Sequence, residues 1–505
     1  MVPSVLKRPL DRPLAFTAGL ARSEPALLLL VAFAATGYAT YSVLNHMHFG
    51  TYAYDLGIFD QVMWHYSRFE IPETTVVGLP TALGDHFHPI LLLLTPLYWV
   101  WSDPRILLVA QAILIAVSIV PVFIWCRERV GRGPAYLLAG AYVMFWGVHS
   151  AVAFDFHEIA FAPVLLASLL IAADRGQWRA FGALVVALLL VKENLALLVV
   201  FIGLYVAIVH GERRRGMIAA GVAIGWFFLT TKLLIPWFGG GRGFRHFRYQ
   251  QFGSDLPEAL GHMLRYPWTV FEVFVDQDAK VRTLILLFAP FLALIFLSPL
   301  AILLIPLLAE RMYSTNPFLW GTSAHYSLVI APVLVMGTAD GLARLMRRLP
   351  AERRHRARGY ALACTWVIFV VNVGAAGDKP LRALTDPEFY SRSSADDIAS
   401  RMVSLVPPGA TVAAQSHFVP HLSQRQGVFQ LGPGKPTAEY IVANSGLDFQ
   451  LRYPDLRYVD KRRLLRDRAD RYGPMFYDDG WVVLRRYPDD LADAAAGKRR
   501  PRTPG

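Results

Sequence analysis

The chain has 505 residues, 54% of them hydrophobic and 17% charged, with a mean hydropathy of +0.37. A typical soluble domain carries about 25% charge, so the composition excludes a water-soluble globular enzyme and indicates a multi-pass membrane protein. The net charge of +12 gives no reason to expect a nucleic-acid partner: the arginines gather in short loops between apolar runs, where the positive-inside rule puts them and anionic lipid head groups attract them.

Lys7, Arg8, Arg12 and Arg22 precede an apolar stretch at 25–44. At about 20 residues it is longer than a typical signal-peptide core and long enough to span. It reads as a retained signal anchor with a cytoplasmic N-terminus, which places "DLGIFDQ" (55–61) outside the cytoplasm. The next run, "HPILLLLTPLYWVW" (88–101), is too short to cross and is broken by Pro96, so it is expected to be re-entrant or interfacial. The run at 105–126 ends in "RERVGRG", a cytoplasmic signature. The first outer loop, 45–103, therefore holds two surface helices.

The same charge logic continues along the chain. A span at 134–152 leads out to "DFHE" (155–158), and one at 159–173 returns to "DRGQWR". A hairpin at 181–210 puts "KEN" (192–194) at its outer tip and "GERRRG" inside. Residues 217–236 lead out to a polar loop at 237–281. A second hairpin, 282–309, turns near Ser298 and Pro299, and "RMYSTNPFLWGTSAHY" (311–326) follows outside. A span at 327–345 returns to "RRLPAERRHRAR", and 358–376 exits. The total is about eleven spans, an odd count that agrees with an inside N-terminus and an outside C-terminus. Cys126 and Cys364 lie in or beside apolar segments, so they offer no loop disulfide framework.

After Asp378 the apolar runs shrink to strand length: "ATVAAQ" (410–415), "GVFQL" (427–431), "EYIVAN" (439–444) and "WVVLRR" (481–486). With Gly/Pro-rich turns and helix-like basic stretches between them, they predict a small α/β domain outside the membrane. The expected organisation is a transmembrane domain at 1–377, an extracytoplasmic α/β domain at 378–490 and a disordered tail at 491–505. No internal repeat is visible, which argues against the inverted-repeat transporter plans.

Ionisable groups at membrane depth are expensive and mark function, and here they gather on the outer face from five connections. Loop one supplies Asp55, Asp60, His65, Asp85, His86 and His88, and the next outer turn Asp155, His157 and Glu158. The hairpin tip adds Lys192 and Glu193, the long loop Arg242, Arg245, His246 and Arg248, and the last outer loop Arg311 and His325. Leu56, Phe59, Met63 and Tyr66 recur at helical spacing, as an interfacial helix requires. Asp55 stands just before that helix, either as its N-cap or as the acceptor of a proton from an attacking hydroxyl. Asp60 is about 140° further round a helix and is either a solvated polar side chain or a second functional acid.

The histidines of "GDHFHP" would diverge on a helix but share a face in an extended segment, as metal ligands or phosphate-binding cations. Without a nearby cysteine or H-x-x-x-H spacing, no metal site is assigned and no cofactor is required, with a divalent metal as the less favoured alternative. His88 has the alternative of capping the 88–101 helix. Asp155 and Glu158 share one face at i, i+3. Lys192 and Glu193 are either an internally neutralised pair or a phosphate clamp with its orienting partner. Arg242, Arg245 and Arg248, interleaved with Phe244, Phe247 and Tyr249, suit a phosphate with an isoprenoid or sugar beside it, or adhesion to anionic lipid.

"YDLGIFDQ", "HFHP", "DFHE", "KEN" and a late "HY" together resemble an uncharacterised family of bacterial multi-pass membrane proteins, over most of residues 30–345. That family is in turn similar to the GT-C membrane glycosyltransferases of the protein-mannosyltransferase and aminoarabinose-transferase type. The wider likeness rests on an acid in the first outer loop, two surface helices there and an extracytoplasmic C-terminal domain. It implies a polytopic α-helical GT-C-like fold in the bacterial plasma membrane. It also implies inverting transfer of a sugar from a polyprenyl-phosphate donor to a glycan, lipoglycan or protein acceptor. The base would be Asp55, with Asp60 second, although the acidic pair often adjacent in GT-C enzymes is split here by "LGIF". The implied substrate and phosphate contacts are His86, His88, Asp155, His157, Glu158, Lys192, Glu193, Arg242, Arg245 and His325. Two other functions compete. A transporter or flippase of a lipid-linked sugar would need a site near the midplane, whereas these charges cluster on one side. A non-catalytic envelope assembly or sensor protein would leave the loop-one acids without a role.

Overall fold

The structure is a computed structural model that describes residues 23–377, 379–432, 438–444, 471–478 and 480–487. The basic N-terminal segment, the basic stretches between 445 and 470 and the expected tail at 491–505 lie outside the described residues.

Helix dominates. Among the described residues, four helices are long and apolar enough to cross a membrane: Pro25–Met47, Arg105–Val130, Arg213–Phe238 and Ala357–Ala376. A fifth candidate is the pair Arg132–Met144 and Trp146–Val152, bent by 44° where Phe145 adopts extended backbone. Other expected spans are assembled from shorter pieces. Trp178–Leu189 and Leu195–Val209 flank "KEN" as the expected hairpin limbs. The expected hairpin at 282–309 is not two continuous limbs. It runs as a helix at Asp278–Phe288, three tight 3-10 turns and a helix at Leu304–Met312. Pro290 and Pro299 each remove a backbone donor, and Leu292 and Ala293 sit at φ of 53° and 52°, so a regular helix cannot pass. Such irregular backbone at membrane depth is tolerated where protein surrounds it, and Leu294, Ile295, Leu300 and Leu303 are buried.

The chain forms two compact units that interleave in sequence. The first comprises the described residues of Met1–Ser42, Leu83–Leu91 and Leu108–Thr385. Its interior is filled by Trp125, Trp146, Tyr142, Phe123, Phe145 and Phe156, all fully buried. Leu195–Val209 and Arg213–Leu229 approach through small residues: a Cβ on Gly203 would sit 2.5 Å from the carbonyl oxygen of Gly216, the close contact that membrane helices use in place of a hydrophobic drive. Leu29, Phe33, Ile208 and Trp366 are exposed, as residues facing lipid are.

The second unit comprises the described residues of Val43–Ala82, Leu92–Leu107 and Asp386–Gly505. It contains a five-stranded sheet of β1 (Val412–Ala414), β2 (Val428–Gln430), β3 (Tyr440–Asn444), β4 (Tyr472–Asp478) and β5 (Trp481–Arg486), in the order β2-β1-β3-β5-β4. β1 runs parallel to β2 and β3, while β5 is antiparallel to β3 and β4. Val412, Ala414 and Val442 face one core, and Ala413, Ile441 and Ala443 face another, the alternation of a sheet covered on both sides. The helix Ser394–Ser404, started by a capping box between Ser393 and Asp396, packs Ala399 and Met402 into the first core together with Ala53 and Val76 of the first outer loop. All four predicted strand segments are strands, and β4 is additional.

Candidate functional site

In the first unit, four separate connections bring ionisable side chains together. Residues 86–88 have no regular secondary structure, and two bonds tie them to the "KEN" turn. His86 Nδ1 lies 2.6 Å from Glu193 Oε1, and the Phe87 N–H donates to Glu193 Oε2 at 2.9 Å. Lys192 Nζ is 2.9 Å from Glu158 Oε1, and His157 Nδ1 is 2.9 Å from Glu158 Oε2. The His157 ring stacks on His325 at 3.6 Å between centroids. His88 is buried within electrostatic reach of Glu158, His86, Lys192 and Glu193. Asn194 donates to Glu310, which adds the helix Leu304–Met312 to the network.

The "DFHE" backbone is shaped by a residue far away in sequence. Gln111, buried within Arg105–Val117, donates to the Asp155 carbonyl at 2.6 Å and accepts from the His157 N–H at 2.9 Å. Asp155 itself sits at φ +78°, a region that a non-glycine residue seldom occupies and that Asp tolerates better than most. This kink lets His157 and Glu158 reach their partners.

Glu158 is fully buried and Glu193 nearly so. Burial works against the Glu158 carboxylate, yet the His157 ring and the Lys192 ammonium beside it hold it well below the usual carboxylate range. Burial likewise works against charge on Lys192, and the Glu158 and Glu193 carboxylates overcome it, pushing the amine above its ordinary value. For Glu193 the opposing burial is outweighed by His86, Lys192 and the Phe87 N–H, which bring it to about 2. The network thus holds ionised groups that burial alone would neutralise. The direct partners of "KEN" lie outside it, Lys192 against Glu158 and Glu193 against His86, while Lys192 and Glu193 also favour each other's charge.

The cationic stripe lies on an irregular segment. Arg242 is exposed, and Arg245 bonds Asp85 at 3.1 Å while remaining nearly half exposed. His246 Nε2 is 3.0 Å from Asp85 Oδ1, and its ring stacks on His86 at 3.9 Å. Arg311 is buried and serves the backbone, donating to the Leu319 and Gly321 carbonyls and to Ser327 Oγ.

In the second unit, Asp55 and Asp60 have different surroundings. Asp55 lies in a wide turn, Ala53–Gly57, and is half-buried. It does not cap the helix Ile58–Ser67, because Gly57 occupies the cap position. Asp60 is fully buried, so it is not part of a solvated polar face. Its Oδ1 accepts from Tyr98 Oη at 2.7 Å and from Gln424 Nε2 at 3.0 Å, and its Oδ2 meets Ser423 Oγ at 2.5 Å. Burial raises its carboxyl to about 6 against the pull of these bonds. His65 is buried against Glu70 at 2.9 Å.

Gln111, Glu310, Ser423 and Gln424 are partners that the sequence reading did not single out. Gln111 had a visible signal, a lone amide within an apolar run of spanning length.

The crystal structure of ArnT from Cupriavidus metallidurans bound to undecaprenyl phosphate matches the chain with a TM-score of 0.53 at 15% identity, covering 92% of this chain and 98% of that one. The apo form of the same protein matches equally. An Archaeoglobus fulgidus oligosaccharyltransferase, solved with a tethered acceptor peptide, matches at a TM-score of 0.43 and 12% identity, over 94% of this chain and 75% of that one. No curated protein matches the chain. The fold is therefore the GT-C-like one expected: a polytopic helical protein with a small C-terminal sheet. Residues 45–482 match the family described as "Predicted membrane protein (DUF2079)", and with that share of its length covered the chain belongs to this family.

Proposed function

We propose that the protein is a membrane glycosyltransferase that moves a sugar from a polyprenyl-phosphate donor to an envelope glycan, lipoglycan or protein acceptor outside the cytoplasm. The observation that carries this reading is the buried Glu158–Lys192–His157 network, joined to His86 and His325. It occurs in a chain whose fold is similar to that of ArnT, a protein solved with undecaprenyl phosphate bound. Lys192 and the histidines suit a lipid phosphate, which carries negative charge and needs donors prepared in a water-poor setting.

The role of base goes to Asp55. Asp60 is the weaker candidate, because both of its oxygens are engaged by Tyr98, Gln424 and Ser423 and it is fully buried. In the proposed step, the acceptor hydroxyl gives its proton to Asp55 and its oxygen forms a bond to the anomeric carbon. The bond from that carbon to the phosphate oxygen breaks on the opposite face, inverting the centre, and its electron pair stays on the phosphate. The cationic groups stabilise that growing charge. The step balances without a redox or nucleotide cofactor. In this reading the N-terminus is cytoplasmic and the C-terminal domain lies outside a bacterial plasma membrane.

The test is binding of undecaprenyl phosphate to the full chain in nanodiscs, read by native mass spectrometry. Wild type should bind, and Glu158→Gln/Lys192→Met, which removes both buried charges together, should bind at least tenfold more weakly. Equal binding by the two proteins, or none by wild type, would remove the phosphate-site reading.

A further inference from the structure

Beside the Lys192 network, with which it shares His86, the first unit contains a second cluster. Asp85, His86 and His246 each offer one ligand atom, and these atoms all lie within 4.8 Å of one another. The two imidazoles stack at 3.9 Å between centroids with their planes 23° apart. We propose that Asp85, His86 and His246 form a binding site for a divalent transition-metal ion, with zinc the best match to the ligand set.

Four observations support the assignment. Two imidazole nitrogens and one carboxylate oxygen are the mixture that zinc accepts, whereas calcium and magnesium prefer oxygen alone. Glu193 Oε1 sits 2.6 Å from His86 Nδ1. When it accepts that N–H, His86 Nε2 is left with a lone pair, the carboxylate–histidine–metal arrangement that fixes the tautomer of a ligand. Glu193 is itself held by the Phe87 N–H, so the orienting group is anchored. His246 Nε2 and Asp85 Oδ1 face each other at 3.0 Å. A neutral imidazole frees Nε2 for an ion by carrying its one proton on Nδ1 instead, so the two facing atoms can become ligands together. Finally, the three side chains are between 22% and 28% exposed, enough for an ion to enter and for water or a phosphate oxygen to complete its shell. Arg245 also bonds Asp85 Oδ1, at 3.1 Å, and leaves the other carboxylate oxygen for the ion.

Sequence reading assigned no metal because neither a cysteine nor an H-x-x-x-H spacing accompanies His86 and His88. The structure instead pairs His86 with a histidine from the long loop, far along the chain. The ion would pin that loop, which also carries Arg242 and Arg245, to residues 85–86. The inference does not rest on sugar transfer.

The test uses full-length protein carrying no polyhistidine tag, in detergent, loaded with zinc and then desalted. Elemental analysis should give about one zinc per chain for wild type, and cobalt substitution should produce the visible bands of a low-coordinate site. His246→Gln and His86→Gln should each lose the bound zinc, and Glu193→Gln should weaken it about 10–100-fold, the usual cost of losing an orienting partner. Wild type that retains no zinc and gives no cobalt bands overturns the proposal, whatever the variants do. So does full retention of zinc by a folded His86→Gln/His246→Gln protein, and so does binding only at millimolar zinc.

Discussion

Lys192 Nζ lies 2.9 Å from Glu158 Oε1, and both side chains are buried in the first unit. Removing one member of such a pair strands the other charge away from water, which costs about 3–5 kcal/mol, whereas removing both is far milder. Glu158→Gln and Lys192→Met should each destabilise the protein by about that amount, and the double variant should recover most of it. Unfolding in detergent by heat or denaturant measures the cycle. A coupling below about 1 kcal/mol would mean that the pair is no tighter than a surface contact.

Glu193 predicts a response to acid. Its folded carboxyl titrates at about 2, below the ordinary value of 4.5. A depressed carboxylate contributes stability that is fully present above the unfolded value and is lost as the pH falls through the folded one. The loss attributable to Glu193 therefore falls between about pH 4.5 and 2. Glu193→Gln should flatten the stability profile in that window. An unchanged profile would show that His86 and the Phe87 N–H do not stabilise the charge.

Asp60 predicts the opposite sign. Burial raises its carboxyl to about 6, so the folded protein holds this proton more tightly than the unfolded chain does. Its stability contribution is present below the ordinary value near 3.8 and is lost as the pH rises through about 6. The geometry suits the protonated form. Ser423 Oγ also meets the Pro420 carbonyl at 2.9 Å, so an Asp60 O–H can donate to Ser423 while Ser423 donates onward. An asparagine amide can do the same. Asp60→Asn should be neutral or stabilising at pH 7 and keep activity, while Asp60→Ala should cost about 1–3 kcal/mol through the unsatisfied Tyr98 and Gln424 donors. Loss of all activity in a folded Asp60→Asn protein would move the role of base from Asp55 to Asp60.

Much of this arrangement is legible in the sequence. Charged residues between apolar runs announce their cost, so His86, His157, Glu158, Lys192, Glu193 and His325 stand out before any coordinates, and the first unit brings them together. Their pairing is not legible, because a stretch such as "KEN" looks self-sufficient until a distant Glu158 takes the lysine. The four strands rich in β-branched or alternating residues were also readable. β4 was hidden by Gly473 and Pro474, which read as a turn, and its pairing with β5 is irregular between Pro474 and Phe476. Asp55 looked like a cap because a helix plainly follows it, but the chain makes a wide turn first and gives the cap position to Gly57. The broken hairpin at 282–309 was masked by composition, since 3-10 turns buried in protein are as apolar as a spanning helix.

Gln111 predicts a positioning effect. Its amide satisfies both the Asp155 carbonyl and the His157 N–H. Gln111→Leu leaves these two backbone groups without that partner, at about 1–3 kcal/mol, and should lower activity by releasing the "DFHE" turn. Asp155→Asn should be tolerated at φ +78°, while Asp155→Val should lose a further 1–2 kcal/mol or about that, from backbone strain. Equal stability of the Asn and Val variants would contradict the strained turn.

The central claim is that the chain transfers a sugar with Asp55 as base. The most direct measurement deletes the gene and restores it as wild type or as Asp55→Asn at matched protein levels, then profiles envelope glycans and lipoglycans by mass. The account predicts that a defined sugar unit disappears on deletion, returns with wild type and stays absent with Asp55→Asn. Full restoration by Asp55→Asn, or an unchanged profile on deletion, would contradict it.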